Sequence, residues 1–149
     1  MRKVLIESPF SAPTAEETEI NVKYARAAIR DALSKGDAPL ASHLLYTQDG
    51  ILNDDIPEER SWGIEAGLTW YEVAEACVVY TDRGISKGMK YGIARAESLG
   101  IPVEYREIPN FKLNSENDNK VESKSIIKSG FNKVIGKKLK ASTPKKLSI

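Results

Sequence analysis

The run Ala76-Cys77-Val78-Val79-Tyr80-Thr81 carries no charged side chain and is rich in β-branched and aromatic residues. A strand of that composition has no face to give to water, so both of its sides must be covered. That is the position of a central strand in a parallel sheet. Successive parallel strands need a helix-length crossover between them, so the chain on either side of 76–81 should alternate strands and helices.

Lys3 to Ile6, led by Val4 and Leu5, reads as strand one and breaks at Ser8-Pro9, because proline lacks the amide that a central strand donates. Thr14-Ala15-Glu16-Glu17 has the spacing of a capping box and opens a helix. Ile20, Tyr24, Ala25, Ala28, Ile29 and Ala32 form its inner stripe, and Gly36 supplies the stop after Lys35. Pro39 to Tyr46 is expected as strand two, parallel to strand one, followed by a polar loop from Gln48 to Asp55. Asp55 is expected to cap a second helix that has Pro57 near its start and Glu58 and Glu59 at the positive end of its dipole. Trp62, Ala66, Thr69, Trp70 and Val73 mark the side expected to be buried, while Gly63 and Gly67 allow close approach of another helix or a ligand. A third helix is capped by Ser86, with Met89, Ile93, Ala96 and Leu99 facing inward, and Gly100 ends it before strand four, Ile101 to Tyr105. With right-handed crossovers this order gives a Rossmann-like, flavodoxin-like three-layer α/β fold around a parallel sheet of four to five strands.

The net charge of +1 hides a division of the chain. Residues 110–149 hold ten lysines against Glu116, Asp118 and Glu122, a net +7, which leaves −6 on residues 1–109. The composition also turns to asparagine, serine and lysine after Pro109, so 1–109 is expected as the folded domain and 110–149 as a lysine-rich linker and tail. Ile126, Ile127, Phe131, Val134, Ile135 and Leu139 allow a short amphipathic helix there, weakened by Gly130 and Gly136. The tail lacks arginines and interleaved aromatics, so it reads as a solvated extension, with weak nucleic-acid contact as the alternative. No apolar stretch is long enough for a membrane helix, and the first residues lack the features of a signal peptide; a cytoplasmic protein with no membrane partner is expected. Cys77 is the single cysteine, which excludes an intrachain disulfide and leaves it as a small core residue. Asn53-Asp54-Asp55 has no third ligand beside it, so neither metal nor cofactor is expected.

Ligands of parallel α/β sheets bind beyond the carboxyl ends of the strands. Three segments converge there: Glu7-Ser8-Pro9-Phe10-Ser11, His43 to Tyr46, and Asp82 to Met89. In the last, Ser86, Lys87, Gly88 and Met89 open a helix whose amides and dipole suit a phosphate, although a serine before a helix is equally well a simple cap. His43, the only histidine, is read either as a structural residue or as a group that hydrogen-bonds a phosphate or acts as general acid, and Tyr46 is treated likewise.

The Ser-Pro-Phe turn, the ACVVYTD strand, the Ser-x-Gly-Met helix start and the closing Leu-Gly-Ile-Pro-Val together resemble the nucleoside 2-deoxyribosyltransferase-like superfamily, particularly its small phage-encoded members. The resemblance covers residues 2 to about 108. It implies a nucleoside or nucleotide at the strand ends and association into dimers or larger oligomers. It implies that Phe10 packs on base or sugar and that Asp82 orients the ligand. The family's catalytic glutamate, in a pattern like Ser-x-Gly-x-x-x-Glu-Ile, falls on Gly92. Glycine cannot attack a sugar carbon, so either another carboxylate has taken over, Glu7 and Asp82 being the nearest, or the domain binds nucleotides without this chemistry. The readings therefore stand in order: an enzyme that cleaves or transfers the N-glycosidic bond of a deoxynucleoside or its monophosphate, a non-catalytic nucleotide-binding module, and a nucleic-acid-associated protein acting through its tail.

Overall fold

The computed structural model describes residues 1–109 and 111, so the expected tail and its helix lie outside the described residues apart from Phe111. The elements run β1 (Arg2–Glu7), α1 (Ala15–Ser34), β2 (Asp37–Leu40), α2 (Ser42–Leu45), α3 (Pro57–Thr69), a 3-10 turn (Trp70–Val73), β3 (Ala76–Tyr80), α4 (Lys87–Ser98) and β4 (Val103–Arg106). The four strands form one parallel sheet in the order β2-β1-β3-β4. This is the Rossmann-like α/β architecture with flavodoxin-like order, and its switch point lies between β1 and β3.

All five residues of β3 are buried. Alternate side chains of β1 and β3 serve opposite layers, as strand geometry requires. Val4, Ile6, Ala76, Val78 and Tyr80 pack against Tyr24, Ala28 and Ala32 of α1. Leu5, Cys77 and Val79 pack against Tyr71 and against Met89 and Ala96 of α4. Both expected caps are present: Thr14 Oγ1 accepts from the amide of Glu17 at 3.2 Å, and Ser86 Oγ accepts from that of Met89 at 3.3 Å.

Four local expectations need correction. The second strand stops at Leu40, and His43 to Tyr46 belong instead to α2 and its cap, where the amides of Leu44 and Leu45 both reach Ala41 O. A short apolar run such as Leu40-Ala41-Ser42-His43-Leu44-Leu45 suits either state, and here the buried Ala41 anchors a helical turn. Pro39 is tolerated because β2 is an edge strand. The residue before α3 is Ile56, with no side-chain cap; Asp55 is held by its own amide on Asn53 Oδ1, and Glu59 accepts from the amide of Asn53.

The stripe expected to be buried on that helix faces solvent: Trp62 is 67% exposed, Trp70 44% and Val73 57%. The glycines take the inner side instead. A Cβ at Gly67 would stand 2.7 Å from Ser42 Oγ, and one at Gly63 would stand 3.2 Å from Leu52 Cδ1, so α3 lies on α2 and the following loop closely enough that a side chain at either position would make its neighbour shift. Leu99, expected inside, caps α4 and is exposed.

An ion-pair cluster ties the strands together on the α1 side. Arg2 pairs with Asp37 at 3.1 Å and with Glu104, and Arg106 pairs with Glu104 at 2.7 Å and Asp37 at 2.9 Å. Hydrogen bonds from Arg2 and Arg106 hold the Glu104 carboxyl down at about 2. A depressed carboxyl stabilises the fold above its unfolded pKa and loses that contribution as pH falls toward the folded value. The melting temperature should therefore fall between about pH 4.5 and 2, and thermal melts of Glu104→Gln should show a shallower slope over that range. Parallel slopes would show that the cluster contributes nothing.

Candidate active site

A crevice of about 480 Å³ opens at the carboxyl ends of β1 and β3, between α4 on one side and α2, α3 and their connecting loop on the other. That volume suits a small organic ligand the size of a nucleoside or nucleotide. Of the residues selected from sequence, Glu7, Ser8, Phe10, His43, Tyr46, Ser86, Lys87, Gly88, Met89 and Gly92 all line it. Pro9 and Asp82 do not.

Glu7 is the last residue of β1 and enters the crevice floor. Tyr71 Oη donates to Glu7 Oε1 at 2.6 Å, and Cys77 Sγ lies 3.6 Å from the same hydroxyl. Burial pushes the Glu7 carboxyl up to about 7, against the pull of the Tyr71 hydrogen bond. A carboxyl at that value exchanges its proton at neutral pH, the condition for acid-base or nucleophilic work. Gly92, on α4, packs directly over it: a Cβ there would lie 2.0 Å from Glu7 Oε1, 2.5 Å from Cδ and 2.5 Å from Tyr71 Oη. The two candidate carboxylates are thus separated by the fold. Asp82 is exposed and turned away from the crevice, accepting from Tyr24 Oη at 2.6 Å and from the amide of Ile108 at 3.1 Å, so it fastens α1 to the chain after β4.

The turn after β1 is fixed from below. Ser8 Oγ and His43 Nε2 are 2.8 Å apart, the Phe10 ring meets the His43 ring edge-on at 6.3 Å, and Asn21 Nδ2 donates to Phe10 O at 2.8 Å. Burial drops the His43 imidazole to about 4, so it is neutral at pH 7 and acts as a hydrogen-bonding group rather than a cation. On the far wall Tyr46 Oη accepts from Trp70 Nε1 at 2.8 Å. At the start of α4 the Ser86 hydroxyl is occupied as a cap, while the first helical amides, at Lys87 and Gly88, have no partner within the helix. A Cβ added at Gly88 would meet nothing closer than Ser86 Oγ at 3.8 Å.

Tyr71 is a crevice residue that sequence reasoning missed. Helical periodicity points Trp70 and Val73 inward, but the chain tightens into a 3-10 turn at 70–73 and brings Tyr71 in instead. Arg60, paired with Asp54, lines the α3 wall and was missed too. Among the described residues no three His, Cys, Asp or Glu side chains are placed to hold a metal ion, and no helix is long and apolar enough to cross a membrane.

A family model described as "Domain of unknown function (DUF7768)" matches residues 2–106. No curated protein matches the chain. Among solved structures, the chain is similar to a 2-deoxyribosyltransferase from the psychrotolerant bacterium Bacillus psychrosaccharolyticus, characterised as a biocatalyst for the synthesis of antiviral and antitumoral nucleosides. Identity is 19% over 75% of this chain and 77% of that one, with a TM-score of 0.51, a likeness of fold.

A buried carboxyl whose folded pKa is raised adds stability below its unfolded value and loses it as pH rises through the folded one. From the ordinary 4.5 of a solvated glutamate to about 7, the difference for Glu7 corresponds to roughly 3 kcal/mol. The wild-type melting temperature should therefore decline from pH 4.5 to 8, and Glu7→Gln should flatten that decline. Equal declines in the two proteins would place the Glu7 carboxyl in the ordinary range.

Proposed function

The chain belongs to the DUF7768 family, and we propose that its crevice binds a nucleoside or nucleoside monophosphate and cleaves or transfers the N-glycosidic bond through Glu7. The observation that carries this reading is the Glu7 carboxyl itself, half-buried on the crevice floor, held by Tyr71 and poised near neutrality. The fold it shares with a 2-deoxyribosyltransferase is consistent with that chemistry.

In the proposed reaction a Glu7 carboxylate oxygen attacks the anomeric carbon while the bond from that carbon to the base nitrogen breaks. The bonding pair leaves with the base, which takes a proton from water. Water or the nitrogen of a second base then attacks the same carbon, the sugar-to-Glu7 ester bond breaks, and the carboxylate is restored; the proton lost by the incoming group returns to solvent. Phe10, held edge-on to His43, supplies a flat apolar surface for the base or sugar. The Ser8–His43 pair offers neutral hydrogen-bonding groups beside it. Lys87 and the first amides of α4 line the same crevice and would take a 5′-phosphate. Asp82 has no part in this reading, being outside the crevice. Self-association belongs to the same reading, supported by Trp62 and Trp70, which α3 and the 3-10 turn leave in solvent.

Chromatography of deoxynucleosides and their monophosphates incubated with the pure protein should show released base. Glu7→Gln should lose activity on the order of 10⁴-fold, as removal of a nucleophile does. Because the attacking form is the carboxylate, kcat/KM should rise with pH through about 7. Calorimetric binding without base release from any substrate would favour the binding-module reading.

The phosphate end is tested separately. A monophosphate should bind more tightly than its nucleoside, and Gly88→Val, which has room to fold, should remove that advantage by covering the amides. Equal affinities in the wild-type protein would leave the α4 start as a cap alone.

A further inference from the structure

The crevice floor holds one relationship that the reaction scheme does not use. The carboxyl group of Glu7 and any side chain at position 92 would occupy the same space: the point where a Cβ would stand on Gly92 is 2.0 Å from Oε1 and 2.5 Å from Cδ. Real atoms do not approach so closely without a bond. Gly92 is buried and α-helical, with neither a positive φ nor a turn to account for it, and glycine is unfavourable in a helix interior. What accounts for it is the carboxyl group beneath.

Three separate elements meet at this point. β1 delivers the carboxylate, α4 leaves the vacancy that receives it, and the 3-10 turn brings in Tyr71, whose hydroxyl donates to Oε1 at 2.6 Å. Cys77 Sγ, on β3, backs the tyrosine hydroxyl at 3.6 Å. Oε1 is therefore taken twice, by the steric seat under Gly92 and by the tyrosine. Oε2 has no hydrogen-bond partner among the described residues, and Glu7 lines the crevice.

We propose that Gly92 and Tyr71 are positioning residues for Glu7: the missing side chain at 92 seats Oε1 beneath α4, the Tyr71 hydroxyl locks it there, and Oε2 is the atom presented to the ligand. This rests on the reading of Glu7 as the reacting carboxylate only in naming Oε2 as the reacting atom. The seat itself is a statement about packing and is tested without substrate. A glutamate side chain has three torsions, and an unseated carboxylate would spend most of its time out of line with an anomeric carbon. The vacancy thus does for orientation what a hydrogen bond alone leaves loose.

The test is a mutant cycle read by thermal melts and by ¹³C NMR titration of the Glu7 carboxyl. In the otherwise wild-type chain, Gly92→Ala should lower the melting temperature and move the Glu7 midpoint down from about 7 toward the ordinary carboxylate range, because the displaced group regains water. In a Glu7→Ala/Tyr71→Phe background the same Gly92→Ala change should raise the melting temperature, since the space is then free and alanine is the better helix former. That reversal of sign is the signature of a shared space. An equal loss in both backgrounds, or an unmoved Glu7 midpoint in a folded Gly92→Ala protein, would overturn the proposal. Should Gly92→Ala fail to fold, Tyr71→Phe alone carries the test: the ring stays, the hydroxyl goes, and the Glu7 midpoint should rise further with loss of the bond that lowers it. An unmoved midpoint there overturns the role of Tyr71. A sign reversal in the melts with no base released from any substrate would count against the glycosidic reaction and in favour of the seat.

Discussion

β3 has no solvent face. Its five residues are fully buried, and everything else in the domain is arranged to keep them so. One layer is α1 with its alanine-rich inner side; the other is α4 with the 3-10 turn before β3. Because both layers attach through parallel crossovers, the loops that follow β1 and β3 open on the same edge of the sheet, where the order reverses between them. The crevice is a by-product of covering one strand twice. Its floor inherits the low polarity of the core, and a carboxyl placed there, as Glu7 is, acquires an unusual proton affinity without any special partner.

Ion pairs play a different part at the sheet margin. Arg2, Asp37, Glu104 and Arg106 join β1, β2 and β4, fixing the edge strands whose pairing is otherwise only four residues long. Asp82 works in the same structural manner, tying α1 to the segment after β4. A carboxylate at a strand end and next to a glycine turn looks like a ligand-binding group in sequence. Its neighbours Tyr24 and the Ile108 amide, remote in the chain, decide otherwise.

Legibility followed the distance over which each decision is made. The β3 run, the Thr14 and Ser86 caps and the glycine stops are local, and each could be read from a few neighbouring residues. The order of elements then left a parallel sheet as the outcome, and most of the crevice residues followed from where strand ends must lie. What could not be read depends on partners far along the chain. The inner face of α3 was misread because its contact with α2 is made by Gly63 and Gly67, which carry no hydrophobic signal, while Trp62 and Trp70 carry the strongest one. Tyr71 was invisible because the helix tightens just there. The choice between Glu7 and Asp82 was open because nothing near either residue says which way it turns.

The arrangement of β1 also bears on how the chain comes to be folded during synthesis. β1 is made first yet lies between β2 and β3, so its second edge stays unpaired until residues 76–79 have left the ribosome. Pairings this far apart in sequence close slowly, and a half-paired apolar strand is exposed to wrong partners in the interval. Until that pairing forms, Glu7 at the tip of β1 is a solvated carboxylate. It leaves water for the crevice floor only when α4 arrives and lays Gly92 across it, so the unusual carboxyl is among the last features of the domain to form.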